Sequence, residues 1–226
     1  MAEAAAIEIV GHVRVKEIGL TELGKTAGLL GRGMCDNPAD LRVFRIGDRE
    51  RRIRALARFF EPVLRSLYAR GLILGAFRDS TLAGVCAMAR PGFCQATAFE
   101  KLQLAPTVIL GSPIGTTARV LKWSGEWQRR DPRGPHWHLG PVAVDPLFQH
   151  QGIGSTMLSV FCACMDGFSA VAYLETDKSE NVRFYQKFGF TVVGQADVLG
   201  VPNWFMSRRP RFTTVNRALT SGTGCP

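Results

Sequence analysis

No stretch of these 226 residues approaches the roughly 20 consecutive apolar positions that a membrane-spanning helix requires, so no span is expected. The first residues lack a basic segment ahead of their alanines and carry Glu3 and Glu8 instead. That argues against a secretory signal and makes the cytoplasm the expected compartment. Paired cysteines are missing as well. The six present, Cys35, Cys86, Cys94, Cys162, Cys164 and Cys225, form no C-x-x-C, and no histidine stands at a zinc-like spacing from a pair. Free thiols in a reducing compartment are therefore expected, and no metal site. Acidic residues are the scarcer sign: 28 Lys and Arg against 19 Asp and Glu leave a formal charge of +9. Such an excess attracts polyanions in general. Its densest run, Arg49, Arg51, Arg52 and Arg54, reads as the solvated face of a helix. No aromatic platform or nucleic-acid motif accompanies it, so nucleic acid is not an expected partner.

What is present is the patterning of one globular domain, 46% apolar and 21% charged, long enough to bury a core. Alternation predicts a strand over Val13 to Ile18. Thr21 and Glu22 open a helix that ends near Gly31 and Gly33, and Asp36 to Asp40 reads as a turn. Ile53, Leu56, Phe60, Val63, Leu64 and Leu67 keep a helical period across Asp48 to Ala69, with a break or bend at Pro62. Leu72 to Phe77 and Leu82 to Ala89 form a hairpin pattern. Residues 91–113 carry no readable pattern; a helix follows over Thr116 to Arg129 and a loop over Asp131 to Pro135. The remainder predicts a strand over His138 to Val144, a helix over Gly152 to Met165 and a strand over Val171 to Glu175. A helix over Ser179 to Lys187 and strands over Phe188 to Val193 and Trp204 to Arg208 complete the order. The fold class implied is α/β, a mixed central sheet with helices on both faces, as a single domain over 1–209 followed by a loose tail over 210–226.

One loop in that order carries chemistry. A strand ends at Val144, Asp145 and Pro146 turn the chain, and Gln149-His150-Gln151-Gly152-Ile153-Gly154-Ser155 opens a helix. The first turn of a helix offers unpaired N–H groups and the positive end of its dipole, which suits a diphosphate. Gly152 and Gly154 lack a Cβ, so phosphate can approach the backbone closely. No Lys-Ser/Thr follows the glycines, which excludes a Walker A loop, and Met157 stands where a dinucleotide fingerprint has its third glycine. What remains is Q-x-x-G-x-G, which a glycine-rich turn before any helix would explain equally well.

A second segment decides between the two. After a strand ending at Glu175, Asn181, Phe184 and Tyr185 follow on a helix that Ser179 can cap, with Phe188, Gly189 and Phe190 just beyond its end. Asn181 and Tyr185 are four apart and share a face. Together the two segments, over roughly Trp137 to Phe190, resemble the GNAT superfamily of acyl-CoA-dependent N-acetyltransferases. Its Q/R-x-x-G-x-G/A loop and its later Asn…Phe-Tyr…Gly-Phe element occur here in order, though no alanine stands between Asn181 and Phe184. Leu174-Glu175-Thr176 also resembles a segment of the puromycin-resistance acetyltransferases.

The resemblance implies acetyl-CoA as cosubstrate, without a metal, and an amine acceptor, either a small molecule or a peptide; a homodimer is compatible with it. It places Val142, Ala143 and Val144 against the acetyl and pantetheine parts through their backbone groups. Gln149, His150, Gln151, Gly152, Ile153, Gly154 and Ser155 would wrap the pyrophosphate, and Asn181 would contact the pantetheine arm. Tyr185 would protonate the departing thiolate, since free thiol and phenol pKa values lie only about 1.5 apart; packing between helix and sheet is its structural alternative. A histone-modifying branch of the family places a Glu six residues before the strand-ending Val, and the matching position here is His138. Near its ordinary pKa of about 6.5 His138 could take the amine's proton directly or through water, with His136 and Glu175 as weaker candidates. Period two puts His138, Gly140, Val142 and Val144 on one face. The alternative function is a non-catalytic acyl-CoA-binding module of the same fold.

Overall fold

The computed structural model describes residues 8–10, 12–94 and 112–211. The unpatterned stretch and the loose tail expected from the sequence fall largely outside these. Eight strands form one sheet: β1 (Glu8–Val10), β2 (Val13–Glu17), β3 (Gly71–Arg78), β4 (Thr81–Ala89), β5 (Trp137–Val144), β6 (Ala172–Thr176), β7 (Thr191–Val198) and β8 (Val201–Arg208), in the order β1-β2-β3-β4-β5-β6-β8-β7. Among the described residues six helices flank it: α1 (Leu23–Met34), α2 (Pro38–Phe44), α3 (Arg49–Arg70), α4 (Thr116–Gln128), α5 (Ile153–Gly167) and α6 (Ser179–Gln186). The mixed sheet with helices on both faces is as the sequence implies. One core packs Leu29, Leu30, Phe44, Leu56 and Trp123 of α1 to α4 on one face. A second packs Met157, Leu158, Phe161 and Met165 of α5 with Tyr185 of α6 on the other. No helix among the described residues is long and apolar enough to cross a membrane.

Several local expectations change. Asp36 to Asp40 is not a simple turn, because Asn37 is the N-cap of α2 and Pro38 its first residue, where a missing N–H costs nothing. α3 runs through Pro62 without the break, one of the two outcomes expected there. Its N-terminus is fixed by Asp48, whose side chain accepts from the Arg51 N–H. The arginine run is not uniformly solvated either. Arg52 is 6% exposed and donates to the carbonyls of Cys35 and Ile46 and to Asp36 Oδ1 at 2.6, 2.6 and 2.9 Å, tying the α1–α2 and α2–α3 connections to α3. The next-to-last strand starts at Thr191 rather than Phe188, since Gly189 takes a left-handed turn and Phe190 is buried in the core. Cys35, Cys86, Cys94 and Cys162 are free thiols, as expected, but Cys164 is disulfide-bonded.

All neighbouring strands are antiparallel except β5 and β6, and that pair is joined only at Trp137↔Ala172 and His138↔Tyr173. Beyond His138 the two strands separate, and β6 continues its ladder with β8 instead. On the other side of β5 the register with β4 shifts between Cys86 and Met88, opposite Gly140 and Pro141. Pro141 has no N–H to give either neighbour.

Candidate active site

The opening between β5 and β6 is where the sequence-predicted residues converge. Pairing with β6 ends at His138, so the backbone groups of Leu139 to Val144 that face β6 have no ladder partner there. Such groups must find another partner or water. Gly33 of α1 presses against the far end of β5, where a Cβ on it would lie 2.9 Å from the Ala143 Cβ and 3.1 Å from the Val144 carbonyl oxygen. Arg32 reinforces the contact with an ion pair to the buried Asp145 at 2.7 Å.

From Val144 the chain enters the glycine loop. Asp145 accepts from the Leu147 N–H, shaping a short 3-10 turn over Pro146–Phe148. Gln149 folds back to donate to the Val144 carbonyl at 3.1 Å. His150 and Gly152 both adopt positive φ, 61° and 81°, and Gly152 is the N-cap of α5. A Cβ at Gly152 would meet nothing within 4 Å, so the backbone there opens to free space. That left-handed, uncovered glycine ahead of a 15-residue helix is a cradle for an anion. Gln151 is held by Arg78 from the end of β3 and donates to the Leu147 carbonyl. Arg78 escaped sequence reading because only the fold brings it to this loop.

α6 closes the other side. Asn181 donates to the Thr176 hydroxyl at 3.2 Å, which fixes the amide at the end of β6. Tyr185 is buried one turn later, and both residues line a cavity of about 300 Å³ together with His138, Val142 and Glu175. Burial, with Cys86 and Asp177 nearby, raises the Tyr185 phenol above its ordinary value, so it remains protonated at neutral pH.

At the narrow end of the opening lies a charged cluster. His138 Nε2 is 2.7 Å from Glu175 Oε2, and His138 Nδ1 stands 3.5 Å from Asp131 Oδ1, close enough for an ion pair but without a formed hydrogen bond. His136 donates from Nδ1 to the Gly134 carbonyl at 2.8 Å and meets the same Asp131 oxygen at 3.2 Å. Burial disfavours a charged ring, but the carboxylates of Glu175 and Asp131 outweigh it and the His138 pKa is pushed up to about 10. His136 rises to about 10 against the same burial cost, chiefly through Asp131. His138 is therefore an imidazolium at neutral pH and cannot by itself be the base that its ordinary pKa suggested. The ligand-like atoms of Asp131, His138 and Glu175 all lie within 4.8 Å of one another, but the ring is already paired with both carboxylates.

The shared face expected from period two also fails. Leu139, Val142 and Val144 pack toward the α5 side, whereas Ala143 joins the opposite core, because the bulge at Gly140 and Pro141 inverts the alternation. His138 reaches the cavity from one side of that bulge and Val142 from the other.

Residues 108–192 match the family model for the acetyltransferase (GNAT) domain. The chain has the GNAT fold. Its structure superposes on a protein from Corynebacterium glutamicum described as histone acetyltransferase HPA2 and related acetyltransferase, with TM-score 0.65 and 22% identity over 89% of this chain and 98% of that one. Arylalkylamine N-acetyltransferase 2 from Aedes aegypti is similar at TM-score 0.62 and 10% identity, over 89% of this chain and 100% of that one. The PaiA N-acetyltransferase from Thermoplasma acidophilum, solved with coenzyme A, gives 0.53 and 17%, over 87% and 98%. In this GNAT fold β5 and β6 part beyond His138, and the charged cluster around His138 lies where they separate.

Proposed function

We propose that the chain is an N-acetyltransferase that carries the acetyl group of acetyl-CoA to a primary amine by direct attack in a ternary complex. The observation that carries the reading is the juxtaposition of two features: a strand edge left unpaired beyond His138 and an uncovered, left-handed Gly152 at the start of α5. The first can hold an extended amide-bearing arm by backbone hydrogen bonds. The second, with Ile153, Gly154 and Ser155, offers free N–H groups to a diphosphate. The coenzyme A complex of the Thermoplasma relative supports the same choice of cosubstrate.

In the reaction the amine nitrogen attacks the thioester carbonyl carbon, a C–N bond forms and the C–S bond breaks. The backbone N–H groups near Val142 and Ala143 stabilise the oxyanion. Nitrogen becomes strongly acidic once it is bonded to the tetrahedral carbon, so a carboxylate suffices to take its proton. Glu175 Oε1, buried and without a partner, is placed for that, with the charged His138 ring holding the other oxygen. Tyr185 returns a proton to the thiolate. The burial that weakens its phenol as an acid raises the thiol's pKa in the same pocket, so the two stay matched.

Calorimetry with acetyl-CoA and thiol release in the presence of amines test the reading. Binding is expected for the wild type and a loss of at least about tenfold in affinity for Gly152→Val, which strains a left-handed residue and fills the phosphate cradle. Unchanged affinity in that variant would remove the loop from the site. Binding without thiol release for any amine would favour the non-catalytic module.

A further inference from the structure

Among the described residues, four buried side-chain atoms form no hydrogen bond: Asp40 Oδ1, Trp123 Nε1, Glu175 Oε1 and His138 Nδ1, the last of which faces Asp131 Oδ1 at 3.5 Å. They come from α2, α4, β5 and β6, far apart in sequence, yet all four residues line the one cavity of about 300 Å³. A buried polar atom left unpaired keeps its full desolvation cost, and a fold seldom leaves several in one wall unless something completes them. Asp40 is 1% exposed, and its carboxyl is raised well above the ordinary range, first by burial and then by Asp177. The lining also includes three further aromatic side chains, Phe59, Phe60 and Trp127, and the Trp127 indole N–H is already given to Asn203. Among the described residues, no Lys or Arg lines the cavity. The His138 imidazolium is the one cation among the described lining residues, and it is engaged by Glu175 and Asp131.

Resting on the transferase reading above, we propose that the acceptor is a primary amine on an apolar, ring-bearing body that carries no acid group. The carboxyls of Asp40 and Glu175 take its N–H groups, the aromatic wall packs its ring, and Trp123 donates to an uncharged oxygen on the body. The acceptor nitrogen, neutral in the form that attacks, donates its N–H groups to these carboxyls while its body packs on the faces of the rings. A carboxylate on the acceptor would be desolvated beside Asp40, Asp177 and Glu175 with no free cation to meet it.

The test compares tyramine, phenethylamine and tyrosine as acceptors with the full-length protein, following thiol release. Tyramine and tyrosine differ only by the carboxylate. The expected result is a kcat/KM for tyramine at least about 100-fold above that for tyrosine, with phenethylamine between them. In Asp40→Asn, KM for tyramine rises about tenfold with kcat changed less, and quenching of tryptophan fluorescence by tyramine shifts to higher concentration by the same factor. Tyrosine or an acidic peptide used as well as tyramine overturns the acceptor assignment and leaves the transferase standing. Thiol release with other amines but with neither tyramine nor phenethylamine does the same. Failure of acetyl-CoA to bind at all overturns the transferase reading, and the acceptor class with it.

Discussion

At the scale of single residues the site depends on two side chains whose ionisation the fold has moved in the same direction. The Tyr185 phenol is held protonated by burial beside Cys86 and Asp177. The His138 ring is held protonated by Glu175 and Asp131, which overcome the burial that would otherwise discharge it. A phenol fixed as a donor is what a departing thiolate needs, and a ring fixed as a cation serves Glu175 as an anchor rather than as a base. Tyr185→Phe keeps the ring that packs on Phe184 and Phe190 and removes only the hydroxyl. Its kcat is expected to fall by at least about tenfold, with the acetyl-CoA dissociation constant within about twofold of wild type. Steady-state kinetics and calorimetry together check this, and an unchanged kcat would leave Tyr185 a packing residue.

At the scale of elements, the opening exists because α1 sits tightly on β5 while β6 turns away from it. Gly33 makes the first possible. Adding a Cβ brings it to 2.9 Å from the Ala143 Cβ, closer than packed carbons tolerate, whereas Gly24 on the same helix has open space. Gly33→Ala is therefore expected to lower stability by about 1–3 kcal/mol and to weaken acetyl-CoA binding, while Gly24→Ala is neutral or slightly stabilising. Thermal melts and calorimetry on the two variants separate the local clash from a general helix effect. The phosphate loop and α6 were legible in the sequence because their chemistry is local: a strand end, a helix start, glycines between them, and two side chains one turn apart. What was not legible depends on distant partners. Asp40 meets Asp177, Asp177 accepts from the Ala39 N–H at 2.7 Å, and Trp123 comes to them on a helix from another part of the chain. Asn37-Pro38 signals a turn and a helix start equally well, so α2 was misread. Pro141 marked the bulge in β5, but its inversion of the alternation shows only once the register with β4 is known.

At the scale of the whole molecule, the two cationic histidines of the charged cluster couple stability to pH. His136 and His138 have folded pKa values of about 10 against about 6.5 for an unfolded chain. Their contribution is complete below about pH 6.5, where both states are protonated. It declines as pH rises, because the unfolded rings lose protons first, and it is gone above about pH 10. Measured between pH 6.5 and 8, below the ordinary titration of thiols and phenols, stability is expected to fall on the order of 2 kcal/mol, seen as a drop of about 5 °C in Tm. His138→Gln, which still offers a donor to Glu175 but carries no charge, is expected to start lower and to show about half that slope. The double variant with His136→Gln should be nearly flat across the window. A wild-type Tm that holds constant or rises from pH 6.5 to 8 would mean that these rings are neutral in the folded protein, and Glu175 would then lose the cationic partner that fixes it beside the acceptor.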